Sequence, residues 1–319
     1  MQSHWATTDE VQEWCARMLG PVCRIKEAKM RPWSKVWRVE TADAVHFAKQ
    51  NCVAQSFEAA VLQELSMLAP DHVVPISAVD LDRGLLLTPD QGPTFRETGA
   101  DDVVAWCRLA RDGALLQREV TPGTDRLETA GLTRQPALTA PAYVESFLER
   151  WQAAPRDDPR HVSQHDASRL RTHLPVVRRW AEQVAALGLP VTLNHNDLHD
   201  QNVFHVEDRL VFFDFADALL TEPLQVLLIP LQVLQDRLDC GPDDPRLQRV
   251  ADSALEVWSD LAPLEELRGA LPAALRLAGL GRCESWIRVT EQMSPAELDD
   301  YGAAASAWLL SLVEQSSTR

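Results

Sequence analysis

His195-Asn196-Asp197-Leu198-His199-Asp200-Gln201-Asn202, followed by Val211-Phe212-Phe213-Asp214-Phe215-Ala216-Asp217, is the stretch on which the reading of this chain turns. The octapeptide is polar and lies between the apolar runs at 191–193 and 203–204, so residues 191–213 read as a strand, a loop and a hairpin turning at Glu207-Asp208. Asp197 and Asn202 are five residues apart, and Asp214 lies twelve beyond Asn202. A loop carrying three polar acceptors between apolar strands is unusual unless those acceptors have a use.

Outward from this β-rich island the pattern is uneven. Toward the C-terminus and back to Gly92-Pro93 the periodicity is helical, at about 100–118, 141–152, 164–187, 222–238, 245–260, 263–279 and 295–315. Residues 120–140 and 153–162, rich in Pro, Thr, Gly and Asp, read as loops. Before Gly92 the texture changes. Val11, Trp14, Cys15, Met18 and Leu19 mark a helix over 8–19, capped by Thr7 or Thr8 and closed by Gly20. Residues 21–50 predict a meander of two or three antiparallel strands, 55–69 a helix, and 73–80 and 84–89 two further strands. The chain therefore predicts an α+β fold with two lobes. A small β-rich lobe spans 1–91 with a hinge at 88–91, and a large, mostly helical lobe spans 92–319.

The order H-N-D-x4-N and then D-F-A follows the spacing of a phosphoryl-transfer loop, H-R-D-x4-N with a later Asp. The spacing has a physical sense. Asp197 can meet an acceptor hydroxyl near a γ-phosphate, while Asn202 and Asp214, at neighbouring strand ends, offer oxygens to Mg²⁺. The two segments resemble the aminoglycoside phosphotransferase and choline kinase group of small-molecule kinases, which share the bilobal protein-kinase-like fold. The resemblance implies that Asp197 is the catalytic aspartate, that Asn202 and Asp214 are metal ligands, and that His195 braces the loop. His199 reads as a packed or loop-bracing residue.

Such a fold needs a strand lysine paired with a glutamate on the next helix to hold the nucleotide's phosphates. Lys49 fits the strand, and it is one of only four lysines among 31 basic residues. Glu58 and Glu64 compete as its partner, with Glu58, nearer the strand's end, preferred. No glycine lies between Gly20 and Gly84, so the phosphate turn falls to residues 29–35, where Ser34 can offer a hydroxyl and an N–H. At the hinge, the Thr88 carbonyl and the Asp90 N–H are the expected adenine partners, with Pro89 between them. Asp217 reads as a charge at a helix start and Asp200 as part of a solvated loop. Trp286 reads as core or lobe packing.

Composition narrows the function classes. Lys+Arg is 31 against 47 Asp+Glu, a net charge of −16, which disfavours nucleic acid and anionic membrane surfaces as partners. The six cysteines show no CxxC or zinc spacing, the start of the chain lacks a signal-peptide pattern, and the apolar run at 223–234 is too short to span a bilayer. A cytoplasmic location is expected. The leading reading is an ATP- or GTP-dependent, Mg²⁺-requiring transfer of the γ-phosphate to a hydroxyl of a small molecule. An aminoglycoside or other amino-bearing antibiotic, a sugar and an amino alcohol all fit, and a cationic acceptor suits the acidity. Two alternatives stand beside it: a metal-dependent hydrolase using His195, Asp197 and His199, and a non-catalytic nucleotide-binding module.

Overall fold

The structure, a computed structural model, describes residues 5–98 and 102–314. The predicted helix ends at 100–101 and 315, and the outermost residues of both lobes, lie outside the described residues. Helix α1 (Thr8–Leu19) opens at a capping box in which Thr7 and Glu10 satisfy each other's backbone N–H, and it closes at Gly20, whose φ of 87° favours glycine. Strands β1 (Arg24–Met30), β2 (Ser34–Glu40) and β3 (Val45–Asn51) follow, then α2 (Glu58–Leu68), β4 (Ala78–Asp80) and β5 (Leu85–Pro89). The sheet is antiparallel throughout, in the order β1-β2-β3-β5-β4.

Alternation along these strands sends side chains to two different cores. Trp37, Val39, Ala48, Leu85 and Leu87 pack with Val11, Trp14 and Cys15 of α1. Leu86 turns the other way and joins Val61, Leu62 and Leu65 of α2 in the large core that fills the rest of the molecule. The predicted strand at 73–80 is paired only over 78–80. Its first residues turn to the second lobe, where the Val74 N–H donates to the Phe212 carbonyl at 3.2 Å.

Beyond the hinge come α3 (Phe95–Thr98), α4 (Val103–Val120), α5 (Thr124–Thr129), α6 (Ala140–Gln152) and α7 (Gln164–Ala185). The island then supplies β6 (Thr192–Asn194), the hairpin β7 (Val203–Val206) and β8 (Arg209–Phe212), and β9 (Leu219–Thr221). The chain ends in α8 (Leu228–Leu238), α9 (Pro245–Leu255), α10 (Leu264–Thr290), α11 (Pro295–Tyr301) and α12 (Ala304–Glu314). The hairpin turns at Glu207-Asp208, while β6 pairs with β9 and so closes the base of the intervening loop. Among the described residues no helix is long and apolar enough to cross a membrane.

Three expectations change. Residues 120–140 are not all loop: α5 forms there and buries Leu127, and Leu132 beyond it is buried too. Strand β9 follows directly on the Asp217 turn, in residues between the predicted hairpin and the helix predicted from 222, for which no element had been expected. Helix α10 runs to Thr290 instead of stopping near 279. Gly279 and Gly281 suggest a stop, yet the glycine at 281 serves close approach. A Cβ there would lie 2.8 Å from Asn196 Oδ1 and 2.9 Å from Leu219 Cδ2.

Gly281→Ala should therefore destabilise the protein by about 1–3 kcal/mol in urea or thermal unfolding, despite alanine's better helix propensity. Gly269→Ala, on the same helix where a Cβ would have nothing within 4 Å, should instead stabilise by about 0.5–1 kcal/mol. Equal effects at the two positions would remove the close-approach explanation.

Candidate active site

Lys49, on β3, places its ammonium 2.6 Å from Glu58 Oε2 on α2 and 2.6 Å from Asp214 Oδ1 just beyond β8. Helical phase separates the two candidate glutamates. Glu58 points inward and is 2% exposed, whereas Glu64 lies on the flank and pairs with Arg126 at 2.6 Å. Asn51 also donates to Glu58. Burial works against charge on all three groups of the triad, and their mutual attraction opposes it. The result leaves Lys49 firmly protonated and holds Asp214 below the ordinary carboxylate range. Glu58, more deeply desolvated and facing Asp214 as well, is pushed above it. Asp214 itself has a left-handed backbone, φ 65° and ψ 62°, a conformation that costs a non-glycine residue energy and turns its side chain back toward Lys49.

The 195–202 loop is pinned from several sides. The Nε2 of His195 lies 2.8 Å from the Phe213 carbonyl. A carbonyl only accepts, so Nε2 carries the proton. Burial keeps this imidazole neutral, and it packs on Phe215 at 4.8 Å between centroids. Asn196, also left-handed at φ 63°, sends its amide into α10, donating to Gly281 O at 2.9 Å, Ser285 Oγ at 2.8 Å and Asp217 O at 3.1 Å. Asn202 Nδ2 donates to the Asp197 carbonyl at 2.9 Å, which leaves its Oδ1 for another partner. Asp200 is fully buried, not solvated. Arg96 of α3 binds its Oδ1 at 2.9 Å and Arg237 of α8 its Oδ2; these two arginines outweigh the cost of burial and keep the carboxyl below its usual range. Asp197 Oδ1 lies 3.2 Å from Arg282 Nη1, and its Oδ2 lies 3.6 Å from His199 Nε2.

At the expected hinge the Asp90 donor is not free. The Asp90 N–H is already donated to the Val45 carbonyl at 2.9 Å, which continues the β3–β5 ladder. Backbone groups alternate sides along a strand, so Thr88, two residues earlier, also faces β3. Past the end of β4, the Pro89 carbonyl lies on the opposite edge and accepts from Gln91 Nε2 at 3.3 Å. The Asp90 side chain accepts from the Gly92 N–H at 2.9 Å and shapes the turn out of the hinge.

Ser34 is likewise not at a turn tip. It is the first residue of β2, buried and opposite Asn51, and the turn shrinks to residues 31–33. At that tip Trp33 reaches across to the large lobe. It meets Trp286 edge-on at 5.7 Å and Tyr301 at 5.1 Å, the latter two being stacked at 6.2 Å. A separate cavity of about 230 Å³ between α6 and α10, bordered by Tyr143, Arg150, Glu284 and Glu291, contains no residue of the 195–202 loop.

These residues fit a divalent cation with phosphates. Glu58, Asp197, Asp214 and Asp217 are four acids served by two cations, Lys49 and Arg282, and Asn202 Oδ1 and Asp214 Oδ2 could supply the one or two protein oxygens that Mg²⁺ commonly takes. The hydrolase ligand set does not assemble. Among the described residues no three His, Cys, Asp or Glu groups come together to hold a metal, and the protonated nitrogen of His195 is committed to Phe213. Asn196, Arg282 and Trp33 were not singled out from sequence. The glycine at 281 beside Arg282 was the available signal for close packing, but nothing tied it to the loop.

No family model matches the chain, and no curated protein matches it. Solved structures do. An ethanolamine kinase from Plasmodium vivax superposes with a TM-score of 0.63 at 12% identity, covering 94% of this chain and 85% of that one. The choline kinase LicA from Streptococcus pneumoniae gives 0.57 at 13%, covering 94% and 98%. The aminoglycoside phosphotransferase APH(4)-Ia gives 0.57 at 13%, covering 98% and 100%. Over nearly its whole length, this chain has the bilobal, protein-kinase-like α+β fold of the choline, ethanolamine and aminoglycoside kinases.

Proposed function

We propose that the protein is a small-molecule kinase that transfers the γ-phosphate of ATP or GTP to a hydroxyl. The observation that carries this reading is the Lys49–Glu58–Asp214 triad, which joins two lobes beside a loop holding Asp197 and Asn202. Structures of similar fold have been solved with ADP and spectinomycin, and with ADP and hygromycin B. An amine-bearing acceptor suits a chain of net charge −16.

In this reading the adenine or guanine edge meets the Pro89 carbonyl and the Gln91 N–H, and Lys49, fixed by Glu58, holds the phosphates. Asn202 and Asp214 would hold Mg²⁺, which when bound neutralises charge on the phosphate oxygens. Asp197 accepts the hydrogen bond of the acceptor hydroxyl, orients its oxygen in line with the γ-phosphorus and takes the proton late. A loose transition state asks little of the base's strength, so positioning matters more than basicity.

Mg-ATP or Mg-GTP at 100 times Kd should stabilise the fold by about 2.7 kcal/mol in thermal unfolding; no shift with either nucleotide overturns the reading. Asp214→Ala should abolish the Mg²⁺-dependent part of that stabilisation, whereas His199→Ala should leave it, and the reverse pattern would point back to a histidine-bound metal. Asp197→Asn should keep the nucleotide Kd within about twofold while lowering kcat by roughly 10² or more, measured with an acceptor found among choline, ethanolamine, spectinomycin and hygromycin B. Wild-type turnover in that variant would exclude Asp197.

A further inference from the structure

Arg282 lies on α10, 85 residues beyond Asp197, yet its Nη1 meets three acceptors of the site. These are Asp197 Oδ1 at 3.2 Å, Asp217 Oδ2 at 3.0 Å and the Asn196 carbonyl at 3.0 Å. Its side chain is 10% exposed, and Nε is buried without a hydrogen-bond partner. A guanidinium left partly unsatisfied in this way is held by the charges around it and not by an optimal set of hydrogen bonds. Asp217 is in turn fully engaged: Oδ2 takes Arg282, and Oδ1 accepts from Gln55 Nε2 at 2.9 Å. Gln55 belongs to the small lobe, between β3 and α2. The chain of contacts therefore runs from the small lobe through Asp217 and Arg282 to one oxygen of Asp197.

We propose that Arg282 is a positioning residue for transfer: anchored by Asp217, and through it by Gln55, it holds Oδ1 of Asp197 so that Oδ2 faces the acceptor hydroxyl. The inference rests on the kinase reading above. Because Gln55 reaches Asp217 from the other lobe, Asp197 is held this way only while the lobes are together. Two acids sharing one guanidinium also keep that guanidinium from swinging toward the phosphates, so its action is on Asp197 and not on the nucleotide.

A double-mutant cycle on kcat separates this role from a merely structural one. Nucleotide Kd, acceptor KM and kcat are measured for wild type, Arg282→Met, Arg282→Lys, Gln55→Leu and each of these combined with Asp197→Asn. ATP hydrolysis to water is the reaction followed where none of the four acceptors is used. Arg282→Met should lower kcat by about 30-fold and Arg282→Lys by about tenfold, with Kd and KM within about twofold; Gln55→Leu should lower kcat by about threefold. In the Asp197→Asn background each effect should shrink to less than about twofold. Full persistence of the losses in that background, or unchanged kcat in the single variants, overturns the proposal. Should Arg282→Met fail to fold, Arg282→Lys, which keeps the buried charge, decides on the same criteria. A wild type that binds no Mg-nucleotide overturns the kinase reading and this inference with it, whereas turnover that is indifferent to Arg282 overturns this inference alone.

Discussion

The ammonium of Lys49 sits between two carboxylates at 2.6 Å, one on the helix behind its own strand and one at the end of a hairpin 165 residues away. Burying an ionised group costs several kcal/mol unless it is paired, so both carboxylates depend on the one ammonium they share. That requirement orders much else. Glu58 must lie at the start of α2 facing inward, β3 and β5 must pair in the register that brings Lys49 to the cleft, and Asp214 must accept a left-handed backbone. Removing Lys49 would leave two carboxylates without a counter-charge between the lobes, whereas removing either carboxylate would leave a neutral pair.

A second set of restraints acts on the loop across the cleft. His195 fastens it to Phe213, Asp200 to α3 and α8, and Asn196 to α10, so three helices and a hairpin share the work of holding eight residues. The helix that does most is α10. Through Gly281 it comes close enough to receive Asn196, and through Arg282 it delivers a cation to the acidic side of the cleft. The pattern divides the labour between lobes, with the small lobe shaped to present Lys49 and the hinge edge and the large lobe shaped to immobilise Asp197 and its neighbours.

How much of this was legible in the sequence depended on whether the information was local. The spacing of Asp197, Asn202 and Asp214 survives as a written pattern because one strand-loop-hairpin unit carries all three. Lys49 was visible because it falls on a predicted strand, and the rarity of lysine in this chain added to that. The choice between Glu58 and Glu64 needed the helical phase of α2 against its surroundings, which the flanking residues only suggested. That the Asp90 N–H is spent on Val45 was not legible because backbone polarity alternates with strand register, and register depends on a partner strand some 40 residues distant, His46 opposite Pro89. Gly279 and Gly281 look like helix terminators in one dimension and turn out to be contact points in three. Arg282 and Trp33 had no local signature that tied them to the site, since their partners lie in other segments and only packing reveals them.

The aromatic contact across the cleft has an optical consequence. Trp37, Trp106 and Trp258 are fully buried and give a steady emission background, whereas the indoles of Trp33 and Trp286 touch only because the two lobes meet at residues 31–33 and α10. Any separation of the lobes by a few ångströms uncouples these two half-buried rings and wets the faces they share. The protein therefore carries an intrinsic fluorescent gauge of its own cleft, readable in stopped flow without a label. Its signal would report the distance between the lobes and not the chemistry between them.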